Sequence, residues 1–363
     1  AKSWEEGAMV ATNRYWTLSD KPVGAWPDAE TFVLREGPIP SPADGQALTR
    51  TLYVSLDPYQ WGYKRSGSDK PGAPCHARTV AQVVESRIPG LAPGDFVFNT
   101  NGWAEYALMG AGVPRPAYMV PRRLDPAKGK ISHAVGVLGM LGLTAYAGMV
   151  VQCAPRAGET VVVSAASGGV GQIAGQLARL RGARVVGIAG RPEKCAFVVE
   201  TLGFDACVSH LSPTFAADLA AACPNGIDVY FENVGGPVFD AVLPLFNRGG
   251  RMTICGLISH YGDAPGHDAR ADEIARAGAR GVTATGLFVG DYVDSHHDAM
   301  LAELGPAVAA GQARGEASAL LLGLGFRETS RDEGTRFIRG KFLEVFGFVG
   351  FADRLVERGI SAA

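Results

Sequence analysis

The residue pattern with the clearest chemical potential lies mid-chain, where Val161–Gly171 reads V-V-V-S-A-A-S-G-G-V-G. The β-branched run Thr160–Ala166 predicts a strand. Gly168–Arg181 predicts a helix with Val170, Ile173, Ala174, Leu177 and Leu180 on one face, stopped by Gly182. At that junction Gly168 is expected to permit a tight turn. Gly169 and Val170 are expected to expose backbone N–H groups, and Gly171 to let the helix lie close to the strand. The helix start adds aligned N–H groups and a partial positive charge, which suits the pyrophosphate of a dinucleotide. The plainer alternative is a glycine-rich turn that only packs the helix. The next strand, Arg184–Ala189, separates two cofactors: an acid at its end accepts bonds from the ribose hydroxyls of NAD, whereas small residues and a cation admit the 2′-phosphate of NADP. Here it ends Ala189-Gly190-Arg191, with Lys194 one turn later, so NADP(H) is expected.

Two tyrosines could serve a reaction that builds negative charge on an oxygen, because a phenol donates a hydrogen bond and stays neutral near pH 7. Tyr261 ends a loop that follows the strand Gly250–Cys255, at the end of a sheet where ligands collect. Tyr59 follows the Asp57-Pro58 turn. Each could equally be a packing aromatic. In the first third only Cys75-His76 hints at a metal, and adjacent strand residues point to opposite faces, so no metal site is expected.

These groups need a scaffold. From residue 155 onward strands and helices alternate: the helices Pro192–Leu202, Phe215–Cys223 and Pro237–Phe246 separate Arg184–Ala189, Ala206–Ser209, Asp228–Glu232 and Gly250–Cys255. That order predicts an α/β, Rossmann-type doubly wound parallel sheet. Ala269–Gly278 and Leu301–Ala313 read as helices and Gly281–Val289 as strand-like; beyond Gly315 the pattern is patchy. The first third, with runs such as Gln46–Ser55, Thr79–Ser86 and Phe96–Asn99 between turn residues, suggests a mainly β, partly open barrel.

With 47% hydrophobic and 19% charged residues and a net charge of −2, the chain has a globular composition and no electrostatic case for nucleic acid or an anionic membrane. Ala134–Val151 is uncharged but glycine-rich and without basic flanks, which fits a buried helix and loop better than a membrane span. The six scattered cysteines suggest free thiols in a reducing cytoplasm, and Ala1–Asn13 lacks the apolar core of a signal peptide.

Leu56–Tyr59 (LDPY), Leu138–Tyr146 (LGMLGLTAY), Ala165–Gly171 (AASGGVG), Tyr230–Gly236 (YFENVGG) and Cys255–Tyr261 (CGLISHY) occur in an order and spacing that carry a resemblance across residues 10–300. The chain resembles the medium-chain dehydrogenase/reductase superfamily, more closely its zinc-independent branch of prostaglandin reductases, leukotriene B4 12-hydroxydehydrogenases and 2-alkenal double-bond reductases. The resemblance implies a GroES-like catalytic domain from residues 1–135 with a return over 306–363, around an NADP-binding domain at 136–305. It implies NADPH-dependent reduction of the C=C bond of an enone or enal, and a homodimer joined edge to edge through Gly281–Val289. By the same resemblance Tyr261 stands beside the nicotinamide ribose and Tyr59 in the substrate wall. Asn233 bonds the cofactor, Cys255, Gly256 and Ile258 lie on its nicotinamide half, and Met140 and Thr144 lie near its groove. Leu287, Phe288 and Val289 approach the amide through the backbone. By the same resemblance His210 stands where the branch often has a tyrosine near the adenosine phosphate; a histidine can also reach that phosphate, giving an NADPH affinity expected to fall between about pH 6 and 8. The branch also has a C-terminal asparagine absent from Ile338–Phe346 (IRGKFLEVF). A quinone reductase and a non-catalytic NADPH-binding scaffold are the alternatives on the same fold.

Overall fold

The computed structural model describes residues 12–28, 30–264, 266–314 and the strand backbone of 319–321. In chain order the first part comprises β1 (Thr12–Leu18), β2 (Phe32–Pro38), β3 (Gln46–Ser55), α1 (Tyr59–Arg65), β4 (Thr79–Ser86), β5 (Phe96–Asn99), β6 (Tyr106–Gly110) and β7 (Arg122–Leu124). β1 and β2 pair antiparallel. The others form an antiparallel sheet in the order β14-β3-β4-β5-β7, with β6 also on β3, where β14 (Ala319–Leu321) returns from the far end of the chain. Its small core is Ala47, Ala81, Val83, Val97 and Met109.

The second part runs α2 (Met140–Tyr146), β8 (Thr160–Val163), α3 (Gly169–Leu180), β9 (Arg184–Ala189), α4 (Pro192–Ala196), β10 (Ala206–Ser209), α5 (Phe215–Ala222), β11 (Ile227–Glu232), α6 (Pro237–Val242), β12 (Phe246–Ile254), α7 (Ala269–Gly278), β13 (Thr283–Gly286) and α8 (Val293–Ala309). Its strands are all parallel and ordered β10-β9-β8-β11-β12-β13. The first three strands wind to one side of β8 and the last three to the other, so the direction reverses between β8 and β11 and leaves a crevice at their C-terminal ends. β8 is four buried residues, TVVV, as a central strand covered on both faces requires. The fold is therefore α/β, a Rossmann-type sheet beside a mainly antiparallel one.

Several expected boundaries shift. The strand expected over 160–166 ends at Val163, because the chain turns out of the sheet through Ala165, which sits at φ 48°. The strand-like 281–289 shrinks to Thr283–Gly286, since the chain enters a 3-10 turn at Val289–Tyr292. The helix expected from Leu301 begins a turn and more earlier, at Val293. Leu180, assigned to the apolar face of α3, is 47% exposed in its last turn, while Ile173, Ala174 and Leu177 are buried. Gly175 completes that face: a Cβ there would lie 1.8 Å from the Phe204 ring. The apolar stretch 134–151 becomes α2 and a π-helical turn inside the core, and no described helix is long and apolar enough to cross a membrane. Ile338–Phe346 lies outside the described residues.

Candidate active site

At the crevice a cavity of about 1020 Å³ runs from the start of α3 to α1 and Tyr118 of the antiparallel part. Gly168, Gly169, Val170 and Gly171 form one wall. The tight turn is made differently from expectation. Gly168 has an ordinary φ of −77° and the left-handed residue is Ala165. Glycine at 171 answers a closer demand, because a Cβ there would meet the Ala165 carbonyl oxygen at 2.3 Å. Helix α3 thus rests directly on the turn. The residues of its first turn line the cavity, and the amides there, which a helix cannot satisfy internally, suit an anion.

The end of β9 treats its cations unequally. Gly190 is buried, Arg191 is an exposed residue capping α4, and neither lines the cavity. Lys194 is half-buried and does line it. His210 sits behind Gly190, its Nε2 3.3 Å from where a Cβ at that glycine would be, and it is not on the wall either. Burial, then the Lys194 charge, holds this imidazole below its ordinary 6.5. The free protein therefore has a mainly neutral His210 at neutral pH, and the expected pH 6 to 8 window must start lower.

Farther along, Asn233, Cys255, Gly256, Ile258, Tyr261, Leu287, Phe288 and Val289 line the wall with Met140 and Thr144. Several have hydrogen bonds that fix what they can still offer. Asn233 Nδ2 donates to the Ser164 carbonyl at 2.7 Å and its backbone N–H to Ser164 Oγ at 2.7 Å, so its amide oxygen is left to accept. The Ser164 hydroxyl in turn donates to buried Glu232 at 2.8 Å. Thr144 Oγ1 donates to the Met140 carbonyl at 2.6 Å. The Leu287 N–H is taken by the Ile254 carbonyl at 2.9 Å and cannot serve a ligand. Burial pushes the Cys255 thiol up to about 12, leaving it an unreactive wall.

Tyr261 follows the 3-10 turn Ile258–His260, and its Oη would lie 2.9 Å from a Cβ at Gly256, so the glycine makes room for the hydroxyl. Burial, with Cys255 as a lesser cause, pushes its pKa up to about 12 and keeps it a neutral donor. Tyr59, in the first turn of α1, has its Oη 3.1 Å from His76 Nε2, and burial pushes its pKa far up. Sequence reasoning did not find these partners. Burial drives His76 down to about 4, so it is neutral and can accept from Tyr59. Its ring stacks on Tyr63 at 4.7 Å. Arg78, buried in an ion pair with Asp57 at 2.6 Å, lies 5.7 Å from the Tyr59 ring centre. Arg65 of α1 donates to the carbonyls of Tyr261 and, at 2.8 Å, of Asp263, clipping one tyrosine's loop to the other's helix. Tyr63, Tyr118 and Phe288 add an aromatic box, with Tyr118 and Phe288 edge-on at 5.4 Å. Arg270, from the start of α7, also reaches the wall.

Among the described residues of the antiparallel part, the Cys75-His76 pair does not suit a catalytic zinc. Cys75 is fully buried with Trp16, Trp61 and Trp103 and its thiol is pushed up to about 12, while His76 is committed to Tyr59. A nicotinamide dinucleotide fits: a cavity of the right reach, an amide cradle beneath close-packed glycine and a half-buried lysine.

Comparison with known proteins agrees. Residues 14–114 match the family described as N-terminal domain of oxidoreductase, and residues 169–304 the zinc-binding dehydrogenase family. The NADPH-dependent curcumin reductase of Escherichia coli (strain K12) is 45% identical over 263 residues, 70% of this chain and 73% of the relative. The 2-alkenal reductase (NADP(+)-dependent) of Nicotiana tabacum is 41% identical over 224 residues, 59% and 63% of the two chains. The crystal structure of CurA from Vibrio vulnificus in complex with NADPH superposes with a TM-score of 0.73 at 35% identity, covering 92% of this chain and 96% of that one. On this sequence match and this sheet order, the chain belongs to the zinc-independent, NADP-dependent oxidoreductase branch of the medium-chain dehydrogenase/reductase superfamily.

Proposed function

We propose that this chain uses NADPH to reduce the carbon–carbon double bond of α,β-unsaturated ketones and aldehydes. The observation that carries the proposal is the continuity of one cavity, with the Gly168–Gly171 cradle and Lys194 on part of its wall and Tyr261 and Tyr59 on another. The names of the curcumin and 2-alkenal reductases support the same substrate class.

NADPH, when bound, supplies a hydride for the substrate β-carbon. The amides of α3 hold its pyrophosphate and Lys194 its 2′-phosphate, while the Asn233 amide oxygen accepts from it. As the β-carbon is reduced, charge gathers on the carbonyl oxygen. A neutral phenol held in a buried wall stabilises that charge without losing its own proton. Tyr261, next to the nicotinamide-half residues Gly256 and Ile258, has this role. Tyr59 bounds the substrate and, with His76 accepting from it, holds one hydroxyl orientation. Water or a tyrosine hydroxyl delivers the proton to the α-carbon. The aromatic box of Tyr63, Tyr118 and Phe288 favours flat, conjugated substrates. We assign the catalytic part to residues 1–135 and 306–363, the nucleotide part to 136–305, and a homodimer contact to β13, which ends its sheet. The six free cysteines fit a reducing cytoplasm.

The test is turnover with a small enone and a quinone, with products identified. A saturated ketone supports the proposal. Hydroquinone alone would make the chain a quinone reductase, and NADPH binding without turnover would make it a scaffold.

A further inference from the structure

The loop that carries Tyr261 holds a second group of chemically active side chains, outside the cavity. His260 Nδ1 lies 2.7 Å from Asp263 Oδ2, and His267 Nδ1 lies 3.3 Å from the same oxygen. One ligand atom from each of the three lies within 4.8 Å of the others, and among the described residues this is the one such group of three or more His, Cys, Asp or Glu. Neither histidine lines the cavity. We propose that His260, Asp263 and His267 form a divalent transition-metal site, filled by Zn²⁺, that fixes the Tyr261 loop.

The donor set is two imidazole nitrogens and a carboxylate oxygen, which suits zinc with water completing the sphere. Zinc bonds of about 2.0–2.2 Å place tetrahedral ligands on the order of 3.4 Å apart; His267 Nδ1 at 3.3 Å from Asp263 Oδ2 already matches, His260 Nδ1 at 2.7 Å has to move outward, and no pair of ligand atoms lies beyond 4.8 Å. A separate observation points the same way. His267 turns its other nitrogen, Nε2, to Asp272 Oδ2 at 2.8 Å. A carboxylate behind a histidine in this manner sets its tautomer and aims the free nitrogen at a metal. Both rings already converge on one carboxylate oxygen, and a cation there would be shared by all three.

The position gives the site a consequence. His260 immediately precedes Tyr261, and His267 lies just before α7, whose start is capped by Asp268 accepting from the Ala271 N–H at 3.1 Å. An ion would join the two ends of the loop, as Arg65 already holds its middle from α1. It would order Tyr261 from behind without touching substrate. The three residues lie beside the parallel sheet, between β12 and α7, apart from Cys75 and His76 of the antiparallel part. The sequence signal was the spacing H-x-x-D-x-x-x-H over His260–His267.

The test uses the whole chain, stripped with chelator and titrated with Zn²⁺ alone, by calorimetry and by thermal unfolding. The expected result is one equivalent bound, a raised unfolding midpoint, and an X-ray absorption spectrum with only N/O neighbours. His267→Ala should abolish stoichiometric binding while the apo protein still unfolds cooperatively. Asp272→Asn should weaken binding by roughly 10–100-fold, as loss of an orienting carboxylate does elsewhere. Absence of a one-equivalent isotherm overturns the proposal. So does binding that survives both His267→Ala and His260→Ala, or sulfur in the coordination sphere. None of these readouts depends on turnover, so they stand apart from the proposed reductase activity.

Discussion

Lys194 and Arg191 offer the sharpest test of cofactor choice, because the structure ranks two cations that look equivalent in sequence. Lys194 is half-buried on the cavity wall, whereas Arg191 is exposed and off it. A charge-assisted hydrogen bond from a partly buried group contributes about 1.5–3 kcal/mol, which is on the order of 10–100-fold in affinity. An exposed cation acting across solvent contributes roughly 0.2–1 kcal/mol, at most about fivefold. Lys194→Ala should therefore lower kcat/KM for NADPH by about one to two orders of magnitude and leave NADH nearly unchanged. Arg191→Ala should act several-fold more weakly in the same direction. The assay is the ratio of kcat/KM for the two cofactors with one enone. An unchanged ratio in Lys194→Ala, or a larger loss in Arg191→Ala, would refute the reasoning.

Three further outcomes follow from the same geometry. Gly171→Ala places a Cβ 2.3 Å from a backbone oxygen that cannot swing away; overpacking of this kind costs about 1–3 kcal/mol, visible as a lower unfolding midpoint together with weaker NADPH binding in a fluorescence titration. Tyr261→Phe should cost on the order of 10²–10³ in kcat with little change in NADPH affinity, and Tyr59→Phe less, since its hydroxyl is engaged by His76; equal losses would contradict these roles. His76 is held neutral in the fold, driven to about 4 from 6.5, so the unfolded chain binds the extra proton between those values. Its contribution is fully present above about pH 6.5 and is lost as pH falls towards 4, on the order of 3 kcal/mol in all, so a His76→Gln variant should show a shallower acid limb in denaturant melts than the parent.

The nucleotide half was legible because its strands are buried on both faces and read as β-branched runs, as TVVV of β8 and RVVGIA of β9 do, with amphipathic helices between. The antiparallel half was much less so. β2 (FVLREGP) and β7 (RRL) are half-exposed and charged, and their strand state comes from partners such as β1 and β5 rather than from local pattern. The site divides in the same way. Gly171, Lys194, Tyr261 and Gly256 sit in local motifs that announce them. His76 behind Tyr59, Arg65 on the Tyr261 carbonyl and Arg270 on the cavity wall come together only in three dimensions, across up to 196 residues for Arg65 and Tyr261. The turn at Ala165 shows the limit within a motif: spacing marked the tight turn, but the left-handed residue is the alanine and not the glycine, because the close approach of α3 makes its own demand at Gly171.

The central claim is most directly tested by following the label from NADPH deuterated at nicotinamide C4 into the product of a simple enone. The account predicts a saturated ketone carrying one deuterium at the former β-carbon. Deuterium on the carbinol carbon of an allylic alcohol, or NADPH bound tightly with no transfer to any enone or enal, would contradict it.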